Sequence, residues 1–378
     1  MQFSFSDEQE QFRDAVQRFV RDKSPTTEVR RVMESSEGFD RDVWQQLCQD
    51  LGLAGIHIPE AYGGAGFGCV ELCIGLEEMG RGLLCSPYFG SAILATSAIL
   101  HGADDAQKST LLPLLASGEK IASLAIAEAA GNWDGSDIAL TATPSNDGFL
   151  LDGSKQFVLD GHIADIVIVV ARTLGTSGAD GIGMYLVEGD ANGLQRRAVN
   201  TIDATRRLAQ LQFSGVRAQL LNSEGNVRQT IARVLDEGAI ALANEMIGGA
   251  QALLDATVEY AQLRMQFGRV IGSFQAVKHK CAEMLLDVEL AKSAGYYAAQ
   301  ALDDGDPEVS SLASFAKATA SDTYMRTAIE SIQLHGGIGF TWDHDTHLWY
   351  KRAKSSEVFL GDPSYHRERY ISCLEAQA

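Results

Sequence analysis

Basic residues are in short supply in this chain. Against 50 Asp and Glu it carries 31 Lys and Arg, a formal charge of −19 at neutral pH. A surface of that sign repels polyanions, which argues against nucleic acid or an anionic membrane as partner. No apolar run approaches the length that spans a bilayer. The opening MQFSFSDEQEQF has neither the basic n-region nor the apolar h-region of a secretory signal, so we expect no membrane insertion. The six cysteines are scattered, which makes a reducing cytoplasm the default compartment. Cys69 and Cys73 stand at helical i, i+4 spacing but have no nearby Cys or His to complete a zinc site. There is no repeat and no low-complexity linker, although Thr173–Gly183 reads as a flexible loop.

What is present is the makeup of a globular protein, with 46% hydrophobic and 21% charged residues. At 378 residues the chain exceeds what one hydrophobic core usually serves, so two or three domains are expected. Ser6 followed by Gln9 reads as a capping box, and Phe12, Val16, Phe19 and Val20 continue it as an apolar helical stripe. Helical patterning runs on through Glu71–Arg81 and Gly90–Leu100 to Leu115. From about Ser123 the period changes. Phe149–Gly153 reads as a strand entering a tight turn, and Ile166–Ala171, Met184–Val187 and Leu208–Phe213 read as further strands. Asp147-Gly148, Asp152-Gly153, Asp160-Gly161 and Asn192-Gly193 supply turn signals between them. After Asn226 long amphipathic segments return, with Pro307 suited to the first turn of a helix, and four long helices on short links suggest an antiparallel bundle.

The stretch Arg264–Leu285 breaks two of these helical segments with Gly268 and Gly272. One arginine, two glutamines and exposed backbone N–H groups gather at that corner, where a phosphate could be held. An ordinary helical turn would need only the two glycines.

Arg264-Met265-Gln266-Phe267-Gly268, then Phe274-Gln275 and Ala282-Glu283-Met284, resemble the R-x-x-F-G…Q…A-[ED]-M signature of acyl-CoA dehydrogenases. Gln333-Leu334-His335-Gly336-Gly337-Ile338-Gly339-Phe340 is similar to that family's Q-x-x-G-G-x-G-[FY]. Pro59-Glu60-Ala61-Tyr62-Gly63-Gly64-Ala65-Gly66 is similar to its P-E-x-Y-G-G-x-G loop, so the resemblance covers nearly the whole chain. It implies an α+β multidomain fold: an N-terminal all-α domain over residues 1–122, a middle antiparallel β-barrel or sandwich over 123–225, and a C-terminal four-helix bundle over 226–378.

In the resembled family FAD lies between the β domain and the helical bundle, its adenine end reaching a neighbouring subunit. The resemblance places Arg264 on the FAD pyrophosphate with Gln266, Phe267 and Gln275 beside it, and Gln333, Gly336 and Gly337 on a nucleotide across a subunit interface. An oligomer follows. Gly135-Ser136-Asp137 matches a segment whose serine, here Ser136, lies near the acyl-CoA thioester arm. Two hydroxyls usual in the family are missing, at Ala127 and Leu159; each would bond the flavin edge, worth roughly 0.5–1.5 kcal/mol.

The larger departure concerns the base. Family members take an α-proton from the acyl thioester with a glutamate in a [YF]-E-G-[TS] segment, which here reads Phe359-Leu360-Gly361-Asp362. The alternative position, on the helix before the corner, is Gly238. Glu245, seven residues on and nearly two turns away, projects from much the same face and is the candidate catalytic residue. The competing role is a structural glutamate paired with an arginine. Glu237, Asp236 and Glu357 are expected to be solvated, His335 to pack at an interface, and Trp342–His347 to be helix-start charge, with no metal. The resemblance thus implies an FAD-dependent acyl-CoA dehydrogenase that passes electrons to an electron-transfer flavoprotein as a homo-oligomer or heterotetramer. Its rival is a non-catalytic subunit completing the FAD site of a related chain, as in bacterial members that act on steroid side chains.

Overall fold

The computed structural model describes residues 5–133, 137–177, 181–221 and 226–377. The chain packs as two compact units, one of residues 1–31, 69–84 and 239–378, the other of 32–68 and 85–238.

In the first unit α1 (Asp7–Lys23) starts at the expected capping box, Ser6 Oγ accepting from the Gln9 amide while the Gln9 side chain accepts from the Ser6 amide. α1 packs on α4 (Cys69–Arg81). The intervening helices, α2 (Thr26–Met33) and α3 (Arg41–Gln49), lie largely at the boundary and in the second unit respectively. A buried network joins α1 to later helices: Arg13 donates to Glu77 at 3.1 Å and to the Tyr296 hydroxyl at 3.1 Å, and Tyr296 donates to Glu77 at 2.5 Å. Burial, then the Glu77 charge, push the Tyr296 phenol well above its usual range.

The long helix α7 (Val227–Leu263) passes through both units. Within the first unit it meets α4 at reciprocal glycines. A Cβ on Gly80 would overlap the Glu245 carbonyl oxygen, and one on Gly248 would overlap the Glu77 carbonyl oxygen, so the two helices touch backbone to backbone. Gly248→Ala is therefore expected to lower stability by about 1–3 kcal/mol, which denaturant unfolding would register as a shifted midpoint. A midpoint that does not move would mean the two helices separate freely.

The rest of this unit is α8 (Gln275–Asp303), α9 (Val309–His335), α10 (Thr346–Val358) and α11 (Pro363–Gln377), with α9 against α8, α10 and α11. Among the described residues the expected C-terminal helical domain is made of the long helices α7, α8 and α9 and the shorter α10 and α11. Small buried residues, Ala291, Ala294, Gly295 and Ala298 on α8 and Ser314, Ala318 and Ser321 on α9, line these two helices. Pro307 lies just ahead of α9, whose N-cap is Glu308, rather than in its first turn.

In the second unit a π-helical stretch, Phe89–Ala95, runs into α5 (Thr96–Gly102), followed by α6 (Asp105–Ala116). The strands are β1 (Ala122–Ala125), β2 (Thr141–Ser145), β3 (Gly148–Leu159), β4 (Ile166–Thr173), β5 (Ile182–Glu188), β6 (Leu194–Val199) and β7 (Leu208–Leu220). Hydrogen-bonded order runs β4-β2-β3-β7-β5 and returns to β4, with β1 on β4 and β6 on β7. Most pairings are antiparallel, but β1–β4 and β2–β4 are parallel. Leu151, Val167, Val169, Tyr185, Leu211 and Phe213 fill the core of this closed sheet. Asp152-Gly153 is not a turn: β3 continues through it as a bulge, with Gly153 at φ 137° and the Asp152 carboxylate accepting from the Gly215 amide at 2.8 Å.

Candidate functional site

The corner after α7 folds as a small hairpin, β8 (Met265–Gln266) paired with β9 (Arg269–Val270). Its tip is Phe267 at φ 52° and Gly268 at φ 77°, the two consecutive left-handed residues of a tight hairpin turn. Phe267 is 92% exposed, and its ring meets that of Phe274 edge-on, with centroids 6.2 Å apart. Arg264 precedes the hairpin, its backbone tied by the bonds Arg264 N to Tyr260 O and Ile271 N to Arg264 O, both 2.8 Å. The guanidinium is exposed and forms no ion pair among the described residues. Gln275 is the first residue of α8, and the N-cap Phe274 offers no side-chain acceptor, which leaves the first amides of a 29-residue helix open to an anion. Gln266 and Gln275 are both exposed.

At the other end of α9, Gln333, Gly336 and Gly337 are exposed, and a Cβ on either glycine would meet nothing within 4 Å. The space a side chain would fill is open for another molecule's approach. His335 is buried instead, its ring stacked on Tyr260 at 4.3 Å and its Nδ1 within 2.7 Å of the Ser331 carbonyl. His344 and Asp345 are spoken for locally: His344 bonds Thr346, and Asp345 pairs with Arg30 at 2.7 Å. No cluster of three or more His, Cys, Asp or Glu able to hold a metal occurs among the described residues.

Leu360 occupies a left-handed turn at φ 60°, followed by Gly361 at φ 108°, and is 4% exposed. Glu245 is buried on α7, and its carboxylate takes a hydrogen-bonded ion pair from Arg352 of α10 at 2.7 Å, with both side chains under 10% exposed. That is the structural partnership that helical phase alone left open. Glu357 pairs with Lys354.

The expectation that Asp236 and Glu237 are solvated fails. Asp236 is 4% exposed. The Glu237 carboxylate accepts from Ser97 and Arg233 and lies 2.8 Å from His101 Nε2. Burial alone would raise its pKa, but the His101 contact, then Ser97 and Arg233, outweigh it and hold the group down at about 2. A carboxylate so stabilised is a poor proton acceptor near neutrality.

Ser136 lies outside the described residues. Glu128, the third residue after β1, accepts from the amides of Ala139 (2.9 Å) and Leu140 (3.0 Å) and from Lys155 Nζ (2.7 Å). Lys155 is fully buried and also donates to the Ile126 carbonyl; burial lowers its pKa to about 8. The glutamate thus ties the passage after β1 to the residues that lead into β2 and to Lys155 of β3. Sequence reasoning missed Lys155, because a strand ending in a turn at Asp152-Gly153 leaves the lysine beyond it, where a charged side chain reads as surface. One strand turn on, the bulge between Lys155 and Val158 turns Phe157 outward at φ 55° and 42% exposure. A left-handed aromatic residue costs about 1–3 kcal/mol and persists only where its surroundings enforce it.

The fold and these loops are those of flavin-dependent acyl-CoA oxidoreductases. The acyl-CoA dehydrogenase N-terminal domain family matches residues 6–119, the middle domain 123–216 and the C-terminal domain 227–371. The chain therefore belongs to the acyl-CoA dehydrogenase family. It is 34% identical over 357 residues to the acyl-CoA dehydrogenase IpdE2 of Mycobacterium tuberculosis, covering 94% of each chain. Butyryl-CoA dehydrogenase from Megasphaera elsdenii superposes with a TM-score of 0.92 at 28% identity, covering 99% of this chain and 100% of that one. A chain of the ChsE4–ChsE5 complex from Mycobacterium tuberculosis superposes at 0.89 and 25% identity, covering 100% of both. Members of the family are flavoproteins, and Arg264, exposed and without an ion pair among the described residues, has the charge and planar fork that suit a phosphate group.

Proposed function

We propose that this chain works in an FAD-dependent acyl-CoA dehydrogenase that converts an acyl-CoA thioester to the 2,3-enoyl-CoA and hands electrons to an electron-transfer flavoprotein. The carrying observation is the Arg264 corner, an exposed cation without an ion pair among the described residues, on the connection that leads into α8, whose N-cap makes no side-chain bond. In this reading Arg264, Gln266, Phe267 and Gln275 hold the FAD of one subunit, and Gln333, Gly336 and Gly337 approach that of another. Ser136 attends the thioester arm, and the three domains divide near residues 122 and 225. When bound, the flavin supplies the oxidising equivalent for loss of two hydrogens from the acyl chain. The protein's own task is to hold the nucleotide, orient the thioester and supply a carboxylate for the α-proton, for which Glu245 is this chain's candidate.

A second reading is favoured by one observation: the Glu245 carboxylate is bound by Arg352, while leucine and glycine stand at positions 360 and 238. In it the chain is the non-catalytic subunit of a heterotetramer and completes the FAD site of a related chain that carries the base. It shares a cytoplasmic compartment with that partner. Expressing the chain alone and beside a related chain, then recording mass, flavin spectrum and bleaching by a panel of acyl-CoAs, separates the two. The first reading expects a flavin-loaded oligomer, bleached by substrate, from this chain alone; the second expects bleaching only after co-expression. A flavin-loaded monomer would contradict both.

A further inference from the structure

The α10–α11 connection is held from beneath by a lysine that no ion pair explains. Lys317 lies in the middle of α9 and is 0% exposed. Its Nζ donates to three neutral oxygens: Ser321 Oγ at 3.0 Å, the Gly361 carbonyl at 3.2 Å and the Glu357 carbonyl at 3.3 Å. Two of these acceptors bracket the Val358–Leu360 segment. The carbonyl between them in the turn, that of Leu360, accepts from His366 Nε2 at 3.1 Å, which fixes the proton of this buried imidazole on Nε2. Three backbone carbonyls of one short turn are thus taken by two buried side chains reaching from α9 and α11.

The turn needs such support. Leu360 is a non-glycine residue at φ 60°, a conformation that L side chains avoid, and Gly361 follows at φ 108°. A Cβ at Gly361 would overlap the Tyr365 ring, so the chain is committed to this path on both sides. A buried ammonium on α9 is an expensive way to fasten a loop if only fastening is required, since an apolar residue in that place avoids desolvating a charge. What it gives is two directed donors on the carbonyls that bracket the turn, with the third held by Ser321 on α9 itself.

We propose that Lys317 and His366 are positioning residues whose hydrogen bonds set the left-handed turn at Leu360–Gly361 and thereby fix where the side chain at position 360 projects. The proposal concerns this turn alone and does not depend on which subunit reading holds. The charged groups around the pair are few. Glu357, Asp362 and Asp322 favour the charged lysine, but burial outweighs them and lowers its pKa to about 7. Burial, then Lys317 and Arg369, lower His366 to about 3, against the opposing Leu360 carbonyl and Asp362, so it stays a neutral donor at physiological pH. Loss of a proton from Lys317 still leaves two donors for the two turn carbonyls but turns charge-assisted bonds into weaker neutral ones, so the hold on the turn weakens as pH rises above about 7.

The sign for stability is opposite to that for the turn. An unfolded lysine titrates near 10.4, so between about pH 7 and pH 10 the unfolded chain binds more protons at this site and global stability rises with pH. Lys155, at about 8, adds to the same slope, and the difference between wild type and a Lys317 variant isolates the Lys317 share.

The test is amide hydrogen exchange on the full-length flavin-loaded protein. In Lys317→Met, which keeps the apolar stem, the amides of residues 358–362 should exchange about 10-fold faster or more, while the amides of α9 keep their protection. The variant should also lack the part of the wild-type stability gain above pH 7 that belongs to Lys317. His366→Phe should loosen the same amides without altering that pH slope. In the wild type itself, protection of the turn, corrected for intrinsic exchange, should fall relative to α9 between pH 6.5 and 8.5, which keeps the proposal testable if Lys317→Met does not fold. Unchanged protection of residues 358–362 in a folded Lys317→Met, or pH-independent protection in wild type, overturns it. No turnover is measured, so failure here is distinguishable from failure of the dehydrogenase reading.

Discussion

Glu245→Gln is expected to lower the unfolding free energy by about 3–5 kcal/mol, the range for breaking one side of a buried ion pair. The substitution removes the carboxylate charge but leaves the Arg352 guanidinium, which cannot lose its proton, in a site where its side chain is 5% exposed. Most of the loss comes from keeping that charge buried without the Glu245 carboxylate rather than from the missing attraction. The matched control is Glu245→Leu combined with Arg352→Met, which removes both charges and should recover most of the stability, because neutral packing avoids both desolvation terms. Urea unfolding of the flavin-loaded protein reads both variants. If instead Glu245→Gln unfolds within about 0.5 kcal/mol of wild type while bleaching by acyl-CoA disappears, the residue is the base and the ion pair is incidental.

Arg264→Ala is expected to weaken FAD binding by about 1.5–3 kcal/mol, or about 10- to 150-fold in Kd, as fits loss of a charge-assisted contact to phosphate. The fold should survive, because the local backbone bonds from Arg264 N to Tyr260 O and from Ile271 N to Arg264 O do not involve the side chain. Arg264→Lys should fall between the two, keeping the charge but losing the planar fork that spans two oxygens. Titration of apoprotein with FAD, followed by flavin fluorescence, measures all three. An unaltered Kd for the alanine variant removes Arg264 from the cofactor site.

Much of the architecture was legible because its signals are local. The capping box at Ser6 and Gln9 and the β-branched run at Ile166 each depend on neighbours a few residues away, and both formed where expected. The family was legible for a different reason: the Arg264–Gly268 and Gln333–Phe340 motifs stand in the sequence as short strings of fixed residue type and spacing. Gly268 and Gly336 also announce their positive φ by being glycine.

The tertiary structure alone decided what lay across the chain. Asp152-Gly153 reads as a turn, but pairing of β3 with β7 over its whole length turned it into a bulge, since a register with a long partner outweighs a dipeptide preference. Glu237 reads as solvated because its helix neighbours include Arg233 and Asp236; Ser97 and His101, some 140 residues earlier, bury it. Glu245 has the helical phase of a base, and whether it is one turns on Arg352, 107 residues away and invisible to periodicity. Lys317 and Lys155 carry the most hydrophilic of side chains and read as surface, yet both are fully buried, because each finds enough oxygens from distant segments to replace water. Sequence fixes what a segment prefers; burial of charge depends on partners that only the folded chain brings within hydrogen-bonding reach.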